Sequence, residues 1–79
     1  IEQIAFIGSG PLPLTSITLL RESRTLKKII NIDCDHTAIE LSKSLARYNE
    51  LDNKMEFVEC LVEALTAEQI ENCQIVLLA

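Results

Sequence analysis

The sequence predicts an α/β domain built on a mostly parallel sheet, and three observations carry that expectation. Short apolar runs alternate with helix-spaced segments along all 79 residues. A glycine loop, Gly8-Ser9-Gly10-Pro11, joins the first apolar run to the first helix. The last run, Ile75-Val76-Leu77-Leu78, is apolar at every position. Strands separated by helices imply right-handed βαβ crossovers. Strands apolar throughout imply a sheet covered on both faces.

The elements follow in order. Residues 3–7 form the first strand, in which Ile4-Ala5-Phe6-Ile7 reads as buried on both faces. A helix is expected over 13–22, with Pro13 near its start because proline presets φ and lacks the N–H that a first turn leaves unpaired. Leu14, Ile17 and Leu20 are expected on its buried face. The second strand covers 28–32 and ends at Asp33. A second helix is expected over 36–49, N-capped by Asp35, with Ala38, Leu41, Leu45 and Tyr48 as its apolar stripe. Leu51-Asp52-Asn53 reads as a turn and 55–59 as the third strand. A short helical segment near 62–70 leads to a fourth strand over 74–79. Such a strand, ending the protein, would be an unpaired hydrophobic edge. The sequence is therefore expected to be the N-terminal half of the sheet of one larger domain, with further strands following it.

Composition excludes several classes. At 48% hydrophobic residues the chain is not a disordered tail. The net charge is −5, and only Lys27-Lys28 places two cations side by side, so no basic stripe exists for nucleic acid. No apolar run approaches the roughly 20 residues of a membrane span, and no signal peptide is visible. Cys34, Cys60 and Cys73 form no C-x-x-C pair, and the single histidine, His36, completes no zinc set, so no metal site is expected. The odd cysteine count points to a reducing, cytoplasmic setting. The three thiols read as small, partly buried apolar side chains.

The chemistry concentrates at the glycine loop. In Gly8-x-Gly10-x-x-Pro13 the two glycines permit a tight turn and close approach of a ligand. Proline stands where a dinucleotide fingerprint has its third glycine, which disfavours a pyrophosphate and leaves a phosphate-free ligand acceptable. Ligands in such sheets bind at the carboxyl ends of the strands, at the switch in strand order, here beside the first strand. Asp33, ending the neighbouring strand, is placed to accept both hydroxyls of an unphosphorylated ribose. Asp35 reads as a helix cap, Cys34 as able to pack on an adenine face, and His36 as a surface residue. After the third strand, Glu59 and Glu63 are the residue types that would take an exocyclic amine, with register undecided between them.

The string Phe6-Ile7-Gly8-Ser9-Gly10-Pro11-Leu12-Pro13-Leu14-Thr15-Ser16-Ile17, followed by Asn31-Ile32-Asp33-Cys34-Asp35, resembles nicotianamine synthase. The resemblance continues through Met55-Glu56-Phe57 and Ile75-Val76-Leu77-Leu78-Ala79. It implies the Rossmann-like fold of S-adenosylmethionine-dependent methyltransferases. It also implies a transferase that moves the 3-amino-3-carboxypropyl (aminobutanoyl) group of S-adenosylmethionine to a small-molecule amine or amino acid in metallophore biosynthesis, releasing methylthioadenosine. By the same resemblance Gly8, Ser9, Gly10 and Pro11 line the methionine end of the cofactor, Asp33 holds the ribose and Cys34 flanks adenine. Plant members often carry Asp near the position of Leu61, whose side chain accepts no hydrogen bond. A general base is required to deprotonate the amine. None stands out in this sequence, and no catalytic residue is assigned. A methyltransferase, a cofactor-binding module without chemistry and an NAD-dependent dehydrogenase are the rival readings.

Overall fold

A computed structural model describes residues 1–11 and 13–78. Strand β1 (Gln3–Ile7) is followed by helix α1 (Leu14–Glu22), β2 (Lys28–Asp33), α2 (His36–Tyr48), β3 (Met55–Glu59), a single 3-10 turn at Val62–Ala64, α3 (Ala67–Ile70) and β4 (Ile75–Leu78). The described strands form one sheet in the order β3-β2-β1-β4. Every pairing is parallel, with Ala5 opposite Ile30 and Val76, and Ile32 opposite Val58. The order reverses at β1, which puts the switch point over the glycine loop.

Continuous apolar strands supply both faces of this sheet, as a doubly covered parallel sheet requires. On one face Ile4 and Ile29 pack with Ile17 and Leu20 of α1, Ala46 of α2, and Met55. On the other, Ala5, Ile30 and Ile32 meet Val58, Cys60, Leu65 and Ile70. The edge strand β4 is only partly covered by the described residues, and Val76 and Leu78 are exposed. The fourth strand was expected over 74–79. Gln74 stays outside it and uses its side-chain oxygen to accept the N–H groups of Glu2 and Gln3, at 2.8 and 2.9 Å. Ala79 lies outside the described residues, as does Leu12 of the loop.

Both long helices keep part of their expected faces, Ile17 and Leu20 in α1 and Ala38 in α2, and depart from the rest. In α1 the buried residues are Ser16, Ile17 and Leu20, and Leu14 is exposed. The packed stripe is centred near Ser16 and Ile17, which turns Leu14 off it by 3.6-residue geometry. In α2 the buried residues are Ala38, Ile39, Ser42 and Ala46, while Leu41 and Tyr48 face solvent. Small side chains at 38, 42 and 46 let α2 lie close on the sheet, so the bulkier stripe of the same spacing points away. Pro13 occupies the N-cap of α1 rather than its first helical position, and its carbonyl accepts the Ile17 N–H at 2.9 Å. The expected helical segment at 62–70 is two pieces. Between them Thr66 starts α3, its N–H donating to Gln69 Oε1 at 2.8 Å.

Candidate functional site

The loop after β1 is held in place from three sides. The N–H groups of Gly8 and Ser9 both donate to the Ile32 carbonyl, at 2.7 and 3.2 Å. The Gly10 N–H donates to Asp33 Oδ2 at 2.8 Å. The Gly10 carbonyl accepts the hydroxyl of buried Ser42 at 2.7 Å. Gly8 and Gly10 have φ of 77° and 75°, the left-handed region that an L-residue with a Cβ occupies only at a cost. A Cβ built on Gly10 would meet no atom within 4 Å, so open space lies in front of the loop.

Asp33 joins the loop to the next helix. Its other oxygen, Oδ1, accepts the Asp35 N–H at 2.9 Å, and Asp35 in turn caps α2 by accepting from Thr37 N–H at 2.9 Å and Ala38 N–H at 3.4 Å. A carboxylate offers about four acceptor positions. Two are taken by backbone, one on each oxygen, and one remains on each.

A cleft of about 310 Å³ opens at the carboxyl ends of β1, β2 and β3. Its lining comprises Ile7, Gly8, Ile32, Asp33 and Cys34 together with Cys60 to Glu63. Three expected site residues, Gly8, Asp33 and Cys34, therefore share one cleft. Ser9, Gly10 and Pro11 lie outside its lining and reach it through the Gly10–Asp33 hydrogen bond. The Ser9 hydroxyl is buried and has no hydrogen-bond partner among the described residues.

The two glutamates left open by the sequence separate. Glu63 lines the cleft. Glu59, opposite Asp33 in the ladder, pairs instead with His36 Nδ1 at 2.6 Å on the surface. That hydrogen bond first, and the Glu59 charge second, raise the His36 pKa above 6.5. Leu61, the position where plant sequences often carry Asp, is an exposed wall of the cleft. Ser42 is the anchor that sequence reading missed. Its signal was the run of small residues at 38, 42 and 46, four apart on one helical face.

Among the described residues no group of three His, Cys, Asp or Glu side chains is placed to hold a metal ion. No described helix is long and apolar enough to cross a membrane.

Comparison with known proteins finds a family model, described as nicotianamine synthase protein, that matches residues 1–79. Among solved structures the chain is similar to the YcgJ protein from Bacillus subtilis, with a TM-score of 0.67 and 20% identity. The likeness covers 81% of this chain and 25% of that one, so the chain spans about a quarter of that structure's length. At this identity the likeness speaks for the fold. The Rossmann-like α/β arrangement expected for an S-adenosylmethionine-dependent methyltransferase fold is the one observed. No curated protein matches.

Proposed function

The chain belongs to the nicotianamine synthase family, and from that premise we propose that it is the adenosyl-binding part of a larger domain, in a cytoplasmic transferase that uses S-adenosylmethionine as group donor. The observation that carries the reading is Asp33. Its carboxylate is held by the Gly10 and Asp35 N–H groups, lines the cleft, and keeps one acceptor position on each oxygen for the two hydroxyls of a ribose.

The remaining residues fit the same ligand. Ile7, Ile32, Leu61 and Val62 offer apolar walls that suit a flat base and exclude water from it. Cys34 borders that base, and Glu63 supplies an acceptor for its exocyclic amine. No Lys or Arg lines the cleft, whereas Asp33 and Glu63 bring negative charge, so a pyrophosphate is disfavoured and a sulfonium is not. Gly8, Ser9, Gly10 and Pro11 take the methionine end, for which the open space before Gly10 leaves room.

When bound, S-adenosylmethionine supplies an electrophilic γ-carbon and methylthioadenosine as leaving group, for attack by an amine such as histidine or one derived from S-adenosylmethionine itself. The contribution of these residues is orientation: the group transferred is the carbon held in near-attack geometry, about 3–3.5 Å from the nucleophile. Holding the γ-carbon there transfers the 3-amino-3-carboxypropyl group and builds a chelating product, as in metallophore synthesis.

The test is to incubate the intact protein with S-adenosylmethionine and histidine and weigh the products. Methylthioadenosine and an aminocarboxypropylated amine are expected. Release of S-adenosylhomocysteine would overturn the reading in favour of a methyltransferase. Tight binding without turnover on any amine would leave a binding module.

A further inference from the structure

Cys34 and Cys60 stand one residue beyond the carboxyl ends of two neighbouring parallel strands. The last rung of the β2–β3 ladder pairs Asp33 with Glu59. The Cys60 N–H donates to the Asp33 carbonyl at 3.1 Å, the bond that closes this rung, and that carbonyl belongs to the peptide joining Asp33 to Cys34. The backbones of the two cysteines are therefore held side by side where the ladder ends. Neighbouring strands lie about 4.7–4.9 Å apart, inside the Cα separation of about 4.4–6.8 Å that a disulfide spans. Both cysteines line the same cleft. Cys34 is exposed and Cys60 half-buried, and both are free thiols. The third cysteine has neither property. Cys73 precedes the amino end of β4 and is not among the residues that line the cleft. Burial pushes its thiol pKa up, with Glu56 adding to the rise, which keeps it protonated and a poor nucleophile.

We propose that Cys34 and Cys60 are a modification site: a dithiol that oxidises reversibly to a disulfide across the floor of the cleft and so shuts out its ligand. The oxidant is a small-molecule disulfide such as oxidised glutathione. The exposed Cys34 thiolate attacks one sulfur of that disulfide, and one glutathione leaves as thiolate. Cys60, deprotonated in turn, attacks the Cys34 sulfur of the mixed disulfide and expels the second glutathione. Two protein thiols lose two electrons and two protons, and one disulfide becomes two glutathione thiols. The bridge would lie in the lining of the cleft, where both cysteines stand. That the excluded ligand is S-adenosylmethionine rests on the proposed function; that the disulfide forms rests on the strand-end geometry and the shared cleft.

The intact protein, treated with oxidised glutathione, alkylated and digested without reductant, gives the first readout. The expected product is a peptide containing Cys34 joined to one containing Cys60, about 2 Da lighter than the sum of the two. It should persist in Cys73→Ser and disappear in Cys34→Ser and Cys60→Ser. Stable glutathione adducts on Cys34 with no cross-link, or a cross-link through Cys73, would overturn the proposal. Calorimetry with S-adenosylmethionine gives the second. The oxidised form should bind at least about tenfold more weakly than the reduced form, with recovery on adding dithiothreitol. Equal binding by a fully cross-linked protein would refute the shut-out. Failure of the reduced protein to bind at all would instead count against the proposed function, leaving the cross-link result intact.

Discussion

At the scale of single residues, the site depends on how few groups hold the loop. Asp33 has two tasks: it anchors the Gly10 and Asp35 backbones and it presents acceptors to the cleft. Asp33→Ala should weaken S-adenosylmethionine binding by about 1.5–3 kcal/mol, the range for hydrogen bonds to a charged group. Asp33→Asn should lose less, because one oxygen is kept. Calorimetric dissociation constants measure both, and an unchanged value for Asp33→Ala would take Asp33 out of the site. Gly10 separates strain from obstruction. Its φ of 75° means that any Cβ costs about 1–2 kcal/mol of stability, while the space before it is open in the protein alone. Gly10→Val should therefore fold with reduced stability and lose ligand binding, because its branched side chain fills that space. Retained binding would make the loop a structural turn only. His36 provides a pH marker for the surface beside the cleft. Because pairing with Glu59 raises its folded pKa above 6.5, its contribution to stability is fully present below 6.5. It fades as pH rises through the folded value. An NMR titration of the imidazole should show that upward shift, and Glu59→Gln should return the midpoint toward 6.5. The pair is exposed, so added salt should shrink the difference.

At the scale of elements, strands were legible and helix faces only in part. Parallel-sheet strands are apolar on both sides, so runs such as Ile4 to Ile7 and Ile29 to Ile32 announce themselves without any choice of face. The strands β1 and β3 fall where expected. A helical stripe is different. In α2 the expected stripe of Ala38, Leu41, Leu45 and Tyr48 is buried at Ala38 and exposed at Leu41 and Tyr48, because Ser42 and Ala46, at the same kind of spacing from Ala38, take the sheet side instead. Close packing on the sheet, not apolarity, decided which side is buried. The cap was readable because Asp is chemically suited to accept two backbone N–H groups. The other end of α2 shows a mismatch that can be put to use. Glu50 takes φ of 59°, its N–H donates to the Arg47 carbonyl, and Leu51 N–H donates to the Ala46 carbonyl. This is the helix stop that usually places glycine at the left-handed residue. Glu50→Gly should relieve about 1 kcal/mol of backbone strain. It should raise the thermal midpoint of the intact protein, and a lowered midpoint would show that the Glu50 side chain contributes more than its conformation costs.

At the scale of the whole molecule, strand order is what turns scattered sequence signals into a site. Gly8, Asp33 and Glu63 are far apart in sequence, and each strand ends at the same edge because every pairing is parallel. That convergence was legible in outline from the alternation of strands and helices. Which glutamate enters the cleft was not, since it depends on how the chain turns after β3. The same assembly gathers acidic groups and no cation around the cleft. In a calorimetric competition the intact protein should prefer S-adenosylmethionine to NAD, and the reverse order would favour the dehydrogenase reading.

The threefold fastening of the glycine loop bears on rates. A segment already ordered by Ile32, Asp33 and Ser42 has little conformational freedom left to lose when a ligand arrives, so association needs no slow rearrangement of the loop. Capture would then proceed in a single diffusive step. Weakening a fastening such as Ser42 would add an ordering step to capture, while substitutions in the cleft walls would register chiefly in residence time.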